Sequence, residues 1–152
     1  RVFSFIKKNC DNKIPYSTKL NNSDKALLEN LKNSLPKLQS LMDNQDLNEY
    51  IKKVVGFSFE ANKYFNDSEP WAVKKKDPER MNAILFTIVD QIKNISILLN
   101  PIIPNATSKV LAMINISNEN ININNIKNEE TLNHKKKLGE LEILFNKIEN
   151  DN

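Results

Sequence analysis

Hydrophobic side chains recur every three or four residues along most of this chain, the spacing of one helical face. Phe3, Ile6 and Cys10 mark a first helix over residues 1 to about 9, ending in an Asn- and Asp-rich turn. Leu28, Leu31, Leu35, Leu38 and Met42 form a second stripe, for which Ser23 is the predicted N-cap. Pro36 falls inside that stripe, where its missing N–H and its ring should kink or split the helix. From Asp46 a third pattern runs through Leu47, Tyr50, Ile51, Val54, Phe57, Ala61, Tyr64 and Phe65. A loop is expected over 66–77, with Asp77 capping a fourth helix and Pro78 at its first position. Met81, Ile84, Leu85, Ile88, Ile92, Ile95 and Leu99 give that helix one apolar face, and Asn100-Pro101 ends it. A fifth helix is predicted from Pro104 to Ile114.

Beyond this point the pattern changes. Residues 115–134 are Asn-rich and carry only Ile121, Ile123 and Ile126 as sparse anchors, so they read as an irregular linker. Leu138, Leu141, Leu144, Phe145 and Ile148 then suggest a short C-terminal helix, occupying 135–152 and packing back on the bundle. Two glycines and no Asn-Gly or Asp-Gly hairpin signal leave little to build a sheet from. The expected fold is all-α: an antiparallel helical bundle over 1–114, the linker, and a returning C-terminal helix.

Composition narrows the function classes. A chain of 152 residues with 39% hydrophobic content supports one domain with a real core. Of its 22 basic residues only Arg1 and Arg80 are arginines, and Asn and Ile are abundant, which fits the coding bias of an AT-rich genome. That bias raises Lys for reasons unrelated to binding. A net charge of +3 is too small to predict a nucleic-acid partner by itself. Cys10 is the one cysteine, so an internal disulfide is excluded and a reducing cytosol is expected. No apolar run of about 18 residues and no signal-peptide pattern is read, so neither spanning nor secretion, and no membrane partner, is expected. The chain opens on Arg1, in what reads as the middle of a helix, and a fragment of a longer protein is expected.

Catalytic chemistry is not visible. His134, beside Lys135, Lys136 and Lys137, reads as a solvated loop residue, and Cys10 has no Cys or His partner at zinc-ligand spacing. Nucleophile elbows and phosphate-cradling glycine loops do not occur. One segment is different. Trp71, the single tryptophan, follows Pro70 and precedes Lys74, Lys75 and Lys76 after two small residues. A rigid π-face beside a cluster of cations suits an unpaired nucleic-acid base, the ring stacking and the lysines holding phosphate. On chemistry alone a lone tryptophan ending an amphipathic helix is more often a core or lid residue, and it also serves as an anchor in protein interfaces.

Ala61-Asn62 followed by an aromatic pair, then Glu69-Pro70-Trp71 and the Lys run, resembles the anticodon-binding domain of methionyl-tRNA synthetases. Three further segments are similar to that family. The opening Arg1 to Pro15 resembles its first helix, with Arg1 at the arginine that faces the anticodon. The stretch Ile97 to Pro104 resembles the turn between its last bundle helices. Leu144 to Glu149 resembles a Leu-Phe-Pro-Arg-Ile-Glu ending, with Asn146 and Lys147 in place of the proline and arginine.

The resemblance implies a bundle of the class I synthetase type that recognises the CAU anticodon loop of methionine tRNA, within a cytoplasmic parent enzyme. The parent would use ATP with magnesium and methionine in a separate catalytic domain, whose His-Ile-Gly-His and Lys-Met-Ser-Lys-Ser signatures do not occur here. This chain would hold no cofactor, and its partners would be the tRNA and that catalytic domain. Trp71 would stack on a base, Pro70 would fix the approach of the chain, and Arg1 and Asn62 would read base edges. Lys74, Lys75 and Lys76 would contact phosphate. Anticodon domains of the leucine, isoleucine, valine or cysteine enzymes share the bundle. A helical protein-interaction module is the reading from a different class.

Overall fold

The computed structural model describes residues 1–127 and 132–146. Its helices are α1 (Val2–Asn9), α2 (Asn22–Asn33), α3 (Leu35–Asp43), α4 (Leu47–Ser68), α5 (Pro70–Val73), α6 (Pro78–Leu99), α7 (Pro104–Met113) and α8 (Asn124–Lys127). One turn of 3-10 helix, Asn118–Asn120, lies between α7 and α8. Among the described residues the only β pairing is an isolated antiparallel bridge between Lys13 and Lys137.

Helix α6 is the axis of the bundle. It meets α1, α2, α4, α5, α7 and α8, so burial is not confined to the one apolar face that its sequence advertises. Most of its 22 residues are buried, including Thr87, Asp90, Gln91, Lys93, Asn94 and Ser96. Lys93 is buried with its ammonium 2.7 Å from Asp90 Oδ1, one turn away on the same helix. Pairing of this kind is what lets an ammonium leave water. By length and composition α6 could cross a membrane, with a mean hydropathy of 1.3, but 83% of that stretch is buried within the bundle. Core packing accounts for its apolarity.

The helix boundaries follow local chemistry. Pro36 does split the second stripe, as α2 ends at Asn33 and α3 begins at Leu35. Leu31, Leu35 and Leu38 stay buried across the break. The cap of α2 is Asn21, not Ser23. Asn21 Oδ1 accepts the backbone N–H of Asp24 at 3.0 Å, and Asp24 Oδ2 accepts the N–H of Asn21 at 3.0 Å. This reciprocal box satisfies two free donors, whereas a Ser23 cap would satisfy one. The Ser23 hydroxyl donates to Asn21 Oδ1 instead. Asp77 caps α6 as expected, accepting the N–H of Arg80 at 3.0 Å with Pro78 at the first position.

The C-terminal stretch corrects the sequence reading. Residues 138–143 carry no helix and the described chain continues non-helical to 146, where a helix was expected over 135–152. Backbone bonds taken elsewhere explain this. The Leu138 N–H donates to the Asn12 carbonyl at 2.8 Å and the Gly139 N–H to the Met113 carbonyl at 2.8 Å, so neither serves a helical ladder. A Cβ at Gly139 would lie 3.2 Å from the Ala112 carbonyl oxygen, and glycine permits this close approach. Among the described residues of the predicted stripe only Leu138 is buried, while Phe145 is 69% exposed. Ile148 lies outside the described residues. In the Asn-rich segment Ile126 is wholly buried and Ile121 packs on the core, but Ile123 is 37% exposed.

Candidate nucleic-acid interface

The expected loop over 66–77 is mostly structured. Helix α4 continues to Ser68, and Glu69 turns the chain with φ +43°, in the left-handed region that non-glycine residues rarely adopt. Pro70 then starts α5, its fixed φ suiting a first helical position. The N–H groups of Ala72 and Val73 return to the Glu69 carbonyl, and that of Lys74 to the Pro70 carbonyl. Pro70 is buried and Trp71, the next residue, is 40% exposed.

Trp71 leans edge-on against Phe65, with ring centroids 5.7 Å apart and planes at 76°. Arg1 covers both rings, its guanidinium carbon 5.2 Å from the Phe65 centroid and 5.5 Å from that of Trp71. One guanidinium nitrogen donates to Asn66 Oδ1 at 2.7 Å. These distances are within cation–π range. Arg1, Ser4, Phe5, Lys8, Asn9, Phe65 and Trp71 line a cavity of about 350 Å³. A second cavity of about 290 Å³ shares Arg1 and Phe65 and runs between α4, α6 and α7, with Asn62, Ile92 and Val110 on its wall.

The sequence-predicted residues are therefore only partly assembled. Arg1, Pro70 and Trp71 come together. Asn62 lines the second cavity rather than the one under Trp71, and Asn66, one turn further along α4, makes the contact with Arg1. Lys74 is half-buried and donates to Asn9 Oδ1 at 3.0 Å, which ties it to the end of α1. Lys75 and Lys76 are exposed. Phe65 reads as core from its spacing and is buried, yet it also carries Trp71 and Arg1. Asn66 had a weak signal in the sequence, four residues beyond Asn62 on the same helix face. His134 is not isolated in solvent, because its ring stacks on Tyr16 at 4.7 Å.

Beneath the Trp71 segment lies a buried polar cluster that sequence reasoning missed. Asp24, with no exposed surface, accepts the Tyr64 hydroxyl at 2.6 Å and both arms of the Arg80 guanidinium, at 2.6 and 2.8 Å. Burial alone would raise the Asp24 carboxyl. The hydrogen bonds from Arg80, Tyr64 and the Asn21 backbone, with the Arg80 charge, outweigh it and hold the group below the usual carboxylate range. Burial first, and then the bond to Asp24, pushes the Tyr64 phenol upward. Burial, with the Asp11 charge, likewise raises the Cys10 thiol. No three of His, Cys, Asp and Glu gather as metal ligands among the described residues.

Comparison with known proteins places the domain in a family. A family model described as the anticodon binding domain of methionyl tRNA ligase matches residues 14–152. The methionine–tRNA ligase of Brucella suis is 33% identical over 114 residues, covering 75% of this chain and 22% of that protein. The methionine–tRNA ligase of Rickettsia felis is 28% identical over 161 aligned positions, covering 99% of this chain and 30% of its own length. The apo crystal structure of Mycobacterium tuberculosis methionyl-tRNA synthetase superposes with a TM-score of 0.90 at 20% identity, over 99% of this chain and 31% of that one. The chain thus spans less than a third of the length of these relatives.

Proposed function

This chain belongs to the family of methionyl-tRNA ligase anticodon-binding domains, and from that membership we propose that it reads the CAU anticodon of methionine tRNA at the Arg1–Trp71 surface. The observation that carries the reading is the half-exposed Trp71 ring held between Phe65 and Arg1 beside a cavity of about 350 Å³. An unstacked base takes the free face of the indole, an interaction of about 1–3 kcal/mol per base. Arg1 sits where its planar donors reach the edge of that base, and Asn66 fixes the guanidinium plane. Pro70 anchors the turn from below. Lys75 and Lys76 are exposed and available to phosphate, while Lys74 commits one of its three donors to Asn9.

Asn62 is one helical turn from Asn66 and serves a neighbouring base from the second cavity. Family membership favours the methionine enzyme over those for leucine, isoleucine, valine and cysteine. The whole enzyme would charge methionine tRNA in the cytoplasm with ATP, magnesium and methionine. Those groups would be handled elsewhere in the parent, since among the described residues no three of His, Cys, Asp and Glu gather to hold magnesium.

Affinity for a CAU stem-loop, measured against salt, tests this reading. Three phosphate contacts to a single strand predict a slope of about −2 in log K against log salt. Changing one anticodon base should weaken binding about tenfold, the worth of one polar contact. A flat salt response with equal affinity for all loops would instead favour the protein-interaction module.

A further inference from the structure

We propose that Asp24 and Arg80 are positioning residues for RNA binding, a buried clamp that closes the 65–79 segment at its base and holds Trp71 against Arg1. The inference rests on the function just proposed, but its geometry stands independently. Tyr64 is the last residue before the segment and Arg80 the first after it. Both end on the same carboxylate, contributed by α2: Tyr64 and one arm of Arg80 bond to Oδ1, the other arm to Oδ2. The excursion that carries Phe65, Asn66 and Trp71 is thereby fastened at both ends to a third helix. The Trp71 ring itself is held more lightly, by its packing on Phe65 and Arg1.

The arginine usage points the same way. In a chain with 22 basic residues, the two that are arginine sit on either side of this one segment, Arg1 on its outer face and Arg80 at its root. Lysine supplies the positive charge everywhere else. At both arginines the environment uses a planar fork: two rings and an amide at Arg1, a bidentate carboxylate at Arg80. An ammonium reproduces neither geometry. Asp24 also closes the cap of α2 through Asn21, so the clamp is rigidly seated rather than suspended from a loose side chain.

Acrylamide quenching of the single tryptophan, without RNA, tests the clamp on the whole chain. The same variants are then titrated with the CAU stem-loop. Asp24→Asn and the milder Arg80→Lys should raise the quenching constant about twofold and weaken the stem-loop about tenfold, with helical content retained. Tyr50→Phe is the control. It removes a buried hydrogen bond to the Leu98 carbonyl, 2.7 Å long, about 21 Å along α4 from Tyr64. It should lower the melting temperature yet leave quenching and affinity unchanged. Should Asp24→Asn prove unfolded, Arg80→Lys decides alone. Unchanged quenching, quenching that rises with affinity intact, or the same response from Tyr50→Phe would overturn the proposal. A wild-type chain that binds no stem-loop would remove the RNA role, while quenching would still show whether Asp24 and Arg80 hold Trp71.

Discussion

Arg1 holds its guanidinium carbon 5.5 Å from the centroid of the Trp71 ring while one of its nitrogens donates to Asn66. The two residues are 70 positions apart in sequence, Arg1 at the start of α1 and Trp71 in α5. Their meeting joins the chain's one indole to a planar, multi-donor guanidinium. It also leaves the indole 40% exposed, with ring surface available to a partner.

Removing the ring should separate stacking from charge. Trp71→Ala is expected to weaken a CAU stem-loop by about 1–3 kcal/mol, and Trp71→Phe by less, since a smaller π-face remains. Melting temperature should change little for Trp71→Phe. Isothermal titration beside a thermal melt checks both. A loss in binding matched by an equal loss of stability would return Trp71 to the core.

Arg1→Lys keeps the charge and discards the fork. Overall salt dependence should persist, while discrimination between CAU and a loop with one changed base narrows, because an ammonium cannot hold the Asn66 bond and a base edge in one plane. The cation–π attraction of the guanidinium to the two rings is worth about 0.5–1 kcal/mol at an exposed site, an upper bound on what the substitution removes there. Competition binding with two loops reads the outcome directly.

Acid should find the Asp24 cluster. The folded carboxyl ionises more readily than the 3.8 of a free side chain, so its stabilising contribution is complete above that value and is lost as the pH falls through the lower folded value. Asp24→Asn should therefore be clearly less stable than wild type near pH 7, and the gap should shrink below pH 3.8. Denaturant midpoints from pH 7 down to the acid limb measure it.

The Asn-rich segment holds to the bundle unevenly. Ile126→Ala should destabilise by about 2–5 kcal/mol, as expected for a fully buried side chain, and Ile123→Ala by only a few tenths. Chemical denaturation of both variants tests whether the segment belongs to the cooperative fold.

The bundle was legible because helical periodicity, Pro36, the Asp77-Pro78 start and the Asn100-Pro101 break are local signals, each readable within one turn. The C-terminal stretch was not, because its apolar spacing suits a helix while its fate is set by distant carbonyls on Asn12 and Met113. The same holds at the site. Trp71 and Pro70 announce themselves through an unusual local motif, whereas Asn66 looks like any polar residue on the exposed side of an amphipathic helix. Asp24 and Arg80 are 56 residues apart, and no local pattern connects a helix-capping aspartate with an arginine in another helix. The polar side chains buried on α6 were invisible for a related reason: that helix is surrounded on all sides by the fold.

The most direct test uses Trp71 as its own reporter. The chain is titrated with a CAU stem-loop and tryptophan emission is followed, then again with a loop in which the first anticodon base is changed. Quenching by the CAU loop and not by the altered one is the predicted result, because only the correct base is seated on the ring. Unchanged emission with a CAU loop whose binding is shown by the anisotropy of a labelled strand would contradict the account, since the RNA would then be held somewhere other than at Trp71.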